Sequence, residues 1–94
     1  MRGAWTQRAP ADLESVREHV AEFNRIAAAR LVERIIEASH RLVNHPNIRR
    51  PGRIAGTREP IVPRTHYLLS DRVHGQTIEI LRVYHGARRW PSRL

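Results

Sequence analysis

The chain has 94 residues and 17 basic side chains, all of them arginine, against 9 acids, for a formal charge of +8. A chain of this size buries only about 60 to 65 % of its unfolded surface, so one domain spanning residues 1–94 is expected and large active-site architectures are excluded. Cysteine is absent, which excludes a disulfide framework, a thiolate nucleophile and Cys-based metal sites; apolar runs such as Ile26–Ala29 fall far short of the roughly 20 residues of a membrane span, and the N-terminus has no apolar signal core, so a cytoplasmic protein with no membrane partner is expected.

Arg2–Gln7 contains Trp5 between polar neighbours and stops short of Pro10, which predicts a brief strand leading into a helix. Pro10 suits a first helical turn, Asp12 and Glu14 would place negative charge at the positive end of the helix dipole, and Leu13, Val16, Val20 and Phe23 recur at helical spacing. This first helix is expected to end near Asn24. A second runs from about Arg25 to Val43, where Ala28, Leu31, Ile35, Ala38 and Leu42 form a stripe that Val32 and Ile36 widen. The two make an antiparallel hairpin.

Asn44–Gly56 is punctuated by His45-Pro46, Arg50-Pro51-Gly52 and Gly56, and reads as a basic loop with an edge strand at Arg53–Ala55. Strands are expected at Arg58–Val62, His66–Val73 and Thr77–Tyr84, the last two joined by a turn at His74-Gly75. Pro60 and Pro63 remove ladder donors, which assigns the first of these to an edge or a bulge. The tail Arg88–Leu94 reads as irregular. The result is an α+β fold: a short N-terminal strand, then an antiparallel helical hairpin packed on one face of a three- to four-stranded, mainly antiparallel sheet, leaving the other face free for function.

Charge is unevenly distributed. Residues 1–43 carry seven arginines against six acids, whereas residues 44–94 carry ten against three. Such a field attracts polyanions or an acidic protein partner, and arginine's planar fork suits carboxylate and phosphate equally.

The run Gly52-Arg53-Ile54-Ala55-Gly56-Thr57-Arg58-Glu59, the segment His66-Tyr67-Leu68-Leu69 and the closing Ile80-Leu81-Arg82-Val83-Tyr84-His85-Gly86-Ala87-Arg88-Arg89-Trp90-Pro91 resemble the RelE/ParE toxin superfamily. Trp5-Thr6 ahead of Ala9, Asp12-Leu13 opening the first helix and Ala27-Ala28-Ala29 opening the second resemble its ParE-like, plasmid-stabilisation branch. The resemblance implies the growth-arresting toxin of a bacterial type II toxin-antitoxin pair, held inactive by a ParD-like antitoxin whose C-terminal segment wraps around it. It also implies one of two targets: ParE-like members act on DNA gyrase, and RelE-like members cleave messenger RNA on the ribosome. A basic surface on a small domain fits the antitoxin, because an acidic, partly disordered segment can neutralise it while folding on binding.

Metal-free RNA cleavage needs a base, an acid and cations around the phosphorane. His85, Arg82 and Arg88 are the candidates, with Glu59 as a further proton-transfer group and Tyr67 or Tyr84 available to stack on a base. Strand alternation puts Arg82 and Tyr84 on one face and Leu81, Val83 and His85 on the other, so the set converges only if the strand ends or bulges near Tyr84. Against the RelE pattern, Arg88 matches a late arginine, but Leu68 stands where a catalytic arginine follows an aromatic residue. The paired lysines have no counterpart, Arg58 and Arg64 being the electrostatic substitutes available, Leu94 is the nearest residue to the C-terminal aromatic, and Asp71 replaces an aromatic residue with an acid that would repel phosphate.

The ParE-like reading is therefore favoured: a gyrase-inhibiting binder without cofactor, with a ribonuclease or a degenerate, non-toxic antitoxin-binding member as alternatives. Arg58, Arg88, Arg89 and Trp90 are the candidate target contacts, the last three as a cationic and aromatic tail. Val32, Ile36, Arg58, Tyr67 and Arg82 are the candidate antitoxin contacts. His40 and His45 lack metal-ligand spacing, so no metal is expected, and no serine stands in a nucleophile elbow.

Overall fold

The computed structural model describes residues 1–45 and 54–86. Strand β1 (Arg2–Trp5) is followed by helices α1 (Arg8–Ala21) and α2 (Arg25–Asn44), then by strands β2 (Tyr67–His74) and β3 (Thr77–His85). The sheet order is β1-β3-β2, with β1 parallel to the central β3 and β2 antiparallel to it. This is the expected α+β architecture. No helix of the described residues is long and apolar enough to cross a membrane.

The side chain of Asn24 caps α2 by accepting a 3.0 Å hydrogen bond from the Ala27 amide, which satisfies one of the helix's open donors. Ala28, Ile35, Ala38 and Leu42 are buried along the expected stripe. Ile35, Ala38 and Leu42 join Ala9, Leu69, Ile78, Ile80 and Val83 in the core between the helices and the sheet, with Trp5, Leu13, Val16 and Leu31 packed at its margin. Helix α1 begins earlier than Pro10, at Arg8, and its cap residue Gln7 makes no side-chain capping bond. Glu14 pairs with Arg17 one turn on, and Asp12 faces the sheet, so neither carboxylate serves the dipole role expected of it.

The sheet departs from the expected pattern in four places. The hairpin turn is Gly75-Gln76, between the paired His74 and Thr77, and Gly75 has φ +60°; glycine at the first loop position with positive φ suits a two-residue hairpin. Arg58–Val62 is not a strand but makes isolated bridges to β2, Arg58 with Asp71 and Ile61 with Leu68. Pro60 accepts from the Leu69 amide at 3.0 Å but has no N–H of its own to donate, which interrupts the ladder. Ile54–Thr57 is a turn closed by the Thr57 amide on the Ile54 carbonyl, 3.1 Å, so the expected edge strand does not form at Ile54-Ala55; Arg53 lies outside the described residues.

The fourth departure is a bulge. Ser70 pairs with Arg82 and Asp71 with Ile80, leaving Leu81 as the extra residue. The bulge brings Ile78, Ile80 and Val83 onto one core face, which strict alternation would not allow. On the opposite face Leu68, Ser70 and Tyr84 are buried too, so that face is not the open working surface expected.

Strand β1 ends at Trp5, and the side of β3 it covers is open beyond Ile80. Thr6 closes part of it, donating from its amide to the Ile80 carbonyl (3.0 Å) and from its hydroxyl to Leu81 (2.9 Å). Asp12 closes the rest: its Oδ2 accepts from the Val83 amide at 3.0 Å and from Arg82 Nε at 2.7 Å, and its Oδ1 accepts from Arg82 Nη2 at 3.0 Å. One carboxylate thereby does the work of a missing strand residue and pins α1 to β3. The two side chains are only 13 % and 18 % exposed, so water screens the pair weakly. Asp12→Ala leaves a cation and an amide unpaired together and is expected to cost about 2–3 kcal/mol in urea unfolding, of which replacing Arg82 by Met in the same chain recovers part.

Candidate functional site

Two groups of side chains among the expected site residues have defined geometry. At the open end of the β2–β3 hairpin Tyr67 pairs with His85, and their rings meet edge to face with centroids 5.2 Å apart. His66 adds a second imidazole 5.9 Å from that of His85. Gly86 donates its amide to the His66 carbonyl, and a Cβ at Gly86 would lie 3.0 Å from that oxygen, so the close approach that gathers these rings favours glycine. Both imidazoles are exposed and Tyr67 is half-buried, with burial pushing its phenol above the ordinary range. The cluster can stack on a planar ligand or exchange protons through imidazole.

The second group surrounds Arg82. Its guanidinium is held by Asp12 and lies over the Tyr84 ring, 4.8 Å from the centroid, and the hydrogen bonds it donates to Asp12 raise its pKa above the ordinary arginine value. Arg82 and Tyr84 share a face, as alternation required, and the bulge falls at Leu81, ahead of both. Tyr84 and His85 therefore still point to opposite faces.

Arg58 belongs to neither group. It pairs through Nε with Asp71 Oδ1 at 3.5 Å, and two backbone bonds of 2.8 and 2.9 Å tie the same residues together. Asp71 is fully buried on the core side of β2, and neither of its carboxylate oxygens has a hydrogen-bond partner. Its charge is thus not displayed on the surface where it would meet a phosphate. On α2, Val32 is half-buried and Ile36 is 37 % exposed. Arg88, Arg89 and Trp90 lie outside the described residues. The structure thus brings His85 and Tyr67 together, and leaves Arg58, Arg82 and the Val32–Ile36 flank as separate places.

His66 and Asp12 went unnamed among the site candidates. Counting back from a Gly75-Gln76 turn places His66 within one residue of His85 across the hairpin, a signal obscured when the turn is set one residue early. Asp12 is seventy residues from Arg82 and has no local signature. Among the described residues no group of three or more His, Asp or Glu is placed to hold a metal ion.

The short parallel strand, helical hairpin and antiparallel hairpin together match the fold of solved toxins from toxin-antitoxin systems. The chain belongs to the ParE toxin family of type II toxin-antitoxin systems, parDE, whose family model matches residues 4–90. It is 37 % identical to toxin Y4kP of Sinorhizobium fredii over 90 residues, covering 96 % of this chain and 93 % of that protein. It is 33 % identical to toxin RelE2 of Caulobacter vibrioides over 85 residues, covering 89 % and 93 %. Among solved structures it resembles the chromosomal ParDE toxin-antitoxin system of P. aeruginosa, with a TM-score of 0.81 at 31 % identity, covering 90 % of this chain and 95 % of that one.

Burial raises the Asp71 carboxyl from 3.8 to about 6, the nearby Arg58 charge opposing but not cancelling the effect. An acid whose folded pKa is raised binds its proton more tightly when folded, so its contribution to stability falls as pH rises from about 4 to about 6 and stays low above that. Asp71→Asn is expected to remove this falling limb and to stabilise the domain above pH 6 by up to about 3 kcal/mol, measured as the difference from wild type in chemical unfolding across pH 4–8. A variant that is less stable than wild type at pH 7 would show that the ionised pair with Arg58 is worth more than its burial costs.

Proposed function

We propose that this chain inhibits DNA gyrase by stoichiometric binding, without a cofactor, arrests growth in the cytoplasm, and is kept inactive by a ParD-like antitoxin. The observation that carries the choice of target is the commitment of Arg82 to Asp12. Phosphoryl chemistry needs cations free to close on a developing charge, and the Arg82 fork is filled by a carboxylate. Leu68, standing where the RelE pattern carries an arginine, is buried in the sheet. The likeness to a solved ParDE system supports the same reading and, with it, an antitoxin partner. Arg88, Arg89 and Trp90 remain the proposed contacts to gyrase, together with Arg58, which is partly exposed.

One observation favours the second reading, a ribosome-dependent ribonuclease. His66 and His85 form an exposed pair of imidazoles beside Tyr67, a set able to supply acid, base and stacking group, and one relative is named toxin RelE2. The two readings separate with purified components. Incubated with gyrase and supercoiled DNA, the toxin should accumulate cleaved DNA to a plateau near equivalence; Arg89→Ala and Trp90→Ala should each weaken this roughly tenfold, and His85→Ala should act as wild type. No effect on gyrase, together with messenger cleavage on ribosomes that His85→Ala abolishes, would replace the gyrase reading by the nuclease one.

A further inference from the structure

Residues 62–65 form a tight turn whose sequence is at odds with its backbone. The Thr65 amide donates to the Val62 carbonyl at 3.2 Å and the Thr65 hydroxyl to the same oxygen at 2.8 Å. Pro63 occupies the second position and Arg64, with φ +66°, the third, the arrangement of a type II turn, whose third position favours glycine. The chain contains its own comparison. Ile54–Thr57 is closed by the same two bonds, from the Thr57 amide and hydroxyl to the Ile54 carbonyl, and there the third residue is Gly56 with φ +79°. Among the described residues Arg64 is the one non-glycine with positive φ. A side chain in that region strains the backbone, and such strain persists where something else is gained.

The surroundings of Arg64 indicate what is gained. A cavity of about 300 Å³ is lined by Arg64 and Pro63 from the turn and by Arg34, Glu37, Ala38 and Arg41 from α2. None of the three guanidiniums has a hydrogen bond or ion pair among the described residues, although Glu37 stands three and four positions from the two helical arginines. Arg17, Arg58, Arg72 and Arg82 are paired with acids; Arg2, Arg8, Arg25 and Arg30 have no such partner among the described residues either, and what sets Arg34, Arg41 and Arg64 apart is that they converge on one cavity. The cavity adjoins an apolar cleft of about 60 Å³ that shares Ala38, Arg41 and Pro63 with it and adds Leu42, Pro60, Ile61 and Leu69; Ile61 is 52 % exposed. Helical periodicity places Arg34 and Arg41 on the opposite flank of the core stripe from Val32 and Ile36.

We infer that this pocket seats an acidic segment of the antitoxin, one carboxylate-bearing residue held by the forks of Arg34, Arg41 and Arg64 and an adjoining apolar side chain in the Ile61 cleft. This rests on the antitoxin reading above and moves its anchoring point from the Val32–Ile36 flank to the far side of α2. Bidentate arginine–carboxylate geometry fits the cationic half. The apolar half, which contains no aromatic ring, fits an aliphatic side chain better than a nucleobase, which would seek a stacking partner. Arg64 is then a binding residue carried at a backbone position that costs the free toxin stability.

The test measures affinity for the antitoxin and stability of the toxin, obtained from the co-expressed complex, for Arg64→Gly, the pair Arg34→Gln with Arg41→Gln, Glu37→Gln and Ile36→Asp. Arg64→Gly should raise the melting temperature of the free toxin by about 4 °C while weakening the antitoxin roughly tenfold. The paired glutamine variant should weaken it at least as much, Glu37→Gln should tighten it, and the arginine variants should flatten the salt dependence of binding. The inference is overturned if Arg64→Gly lowers the melting temperature, or if the arginine variants bind as wild type while Ile36→Asp does not. Failure of the wild-type chain to bind the antitoxin would instead defeat the antitoxin reading itself.

Discussion

Beyond Trp5 the edge of the central strand is closed by Thr6 and Asp12, and it is Asp12 that ties that edge to a helix. With β1 only four residues long, the central strand beyond Ile80 would leave backbone groups open on that edge: Thr6 donates to the Ile80 and Leu81 carbonyls, and the Val83 amide is left for Asp12, since a buried amide without a partner is costly. Asp12 accepts the Val83 amide and grips Arg82 with the same carboxylate, so α1 can approach β3 in one position only. That contact fixes the helical hairpin over the core, holds the Arg82 fork against Tyr84, and removes from solvent a guanidinium that sequence alone would offer to a ligand.

Arginine therefore does two different jobs in this chain, and total charge does not distinguish them. Arg58 and Arg82 reach carboxylates across the fold and act as internal ties. Arg34, Arg41 and Arg64 are left facing one cavity, and the backbone of Arg64 is held in a conformation that Gly56 adopts without strain in an otherwise matching turn. Asp71 shows the opposite economy. Its carboxylate, buried with Arg58 as ion-pair partner and no hydrogen bond, makes the Arg58 segment adhere to β2 at the expense of stability near neutral pH.

The helices were legible because their signal is local and repeated: the stripe Ala28, Ile35, Ala38 and Leu42 is both the sequence pattern and the buried face of α2. The hairpin was legible from its alternation and its glycine. The bulge at Leu81 was not, since one inserted residue leaves no composition signal and shows itself only through which side chains end up in the core. The interruption at Arg58–Val62 was half legible, Pro60 announcing the lost donor but not the reduction to isolated bridges. In the site, His85 and Tyr67 stood out by motif and do meet. The role of Arg82 was hidden because its partner is distant in sequence, and the conflict at Arg64 became visible only with its φ in hand. Arg88, Arg89 and Trp90 lie outside the described residues.

A toxin whose arginines serve as ties and docking points acts by binding, and its lethality should follow its contacts rather than a turnover rate. The most direct measurement is induction of the chain in bacterial cells without antitoxin, following chromosome breaks and messenger integrity in the same culture. The account predicts early DNA breaks, with messages intact over the same interval. Messages cut early while the chromosome stays whole would contradict it and make the His66–His85 cluster the centre of a nuclease.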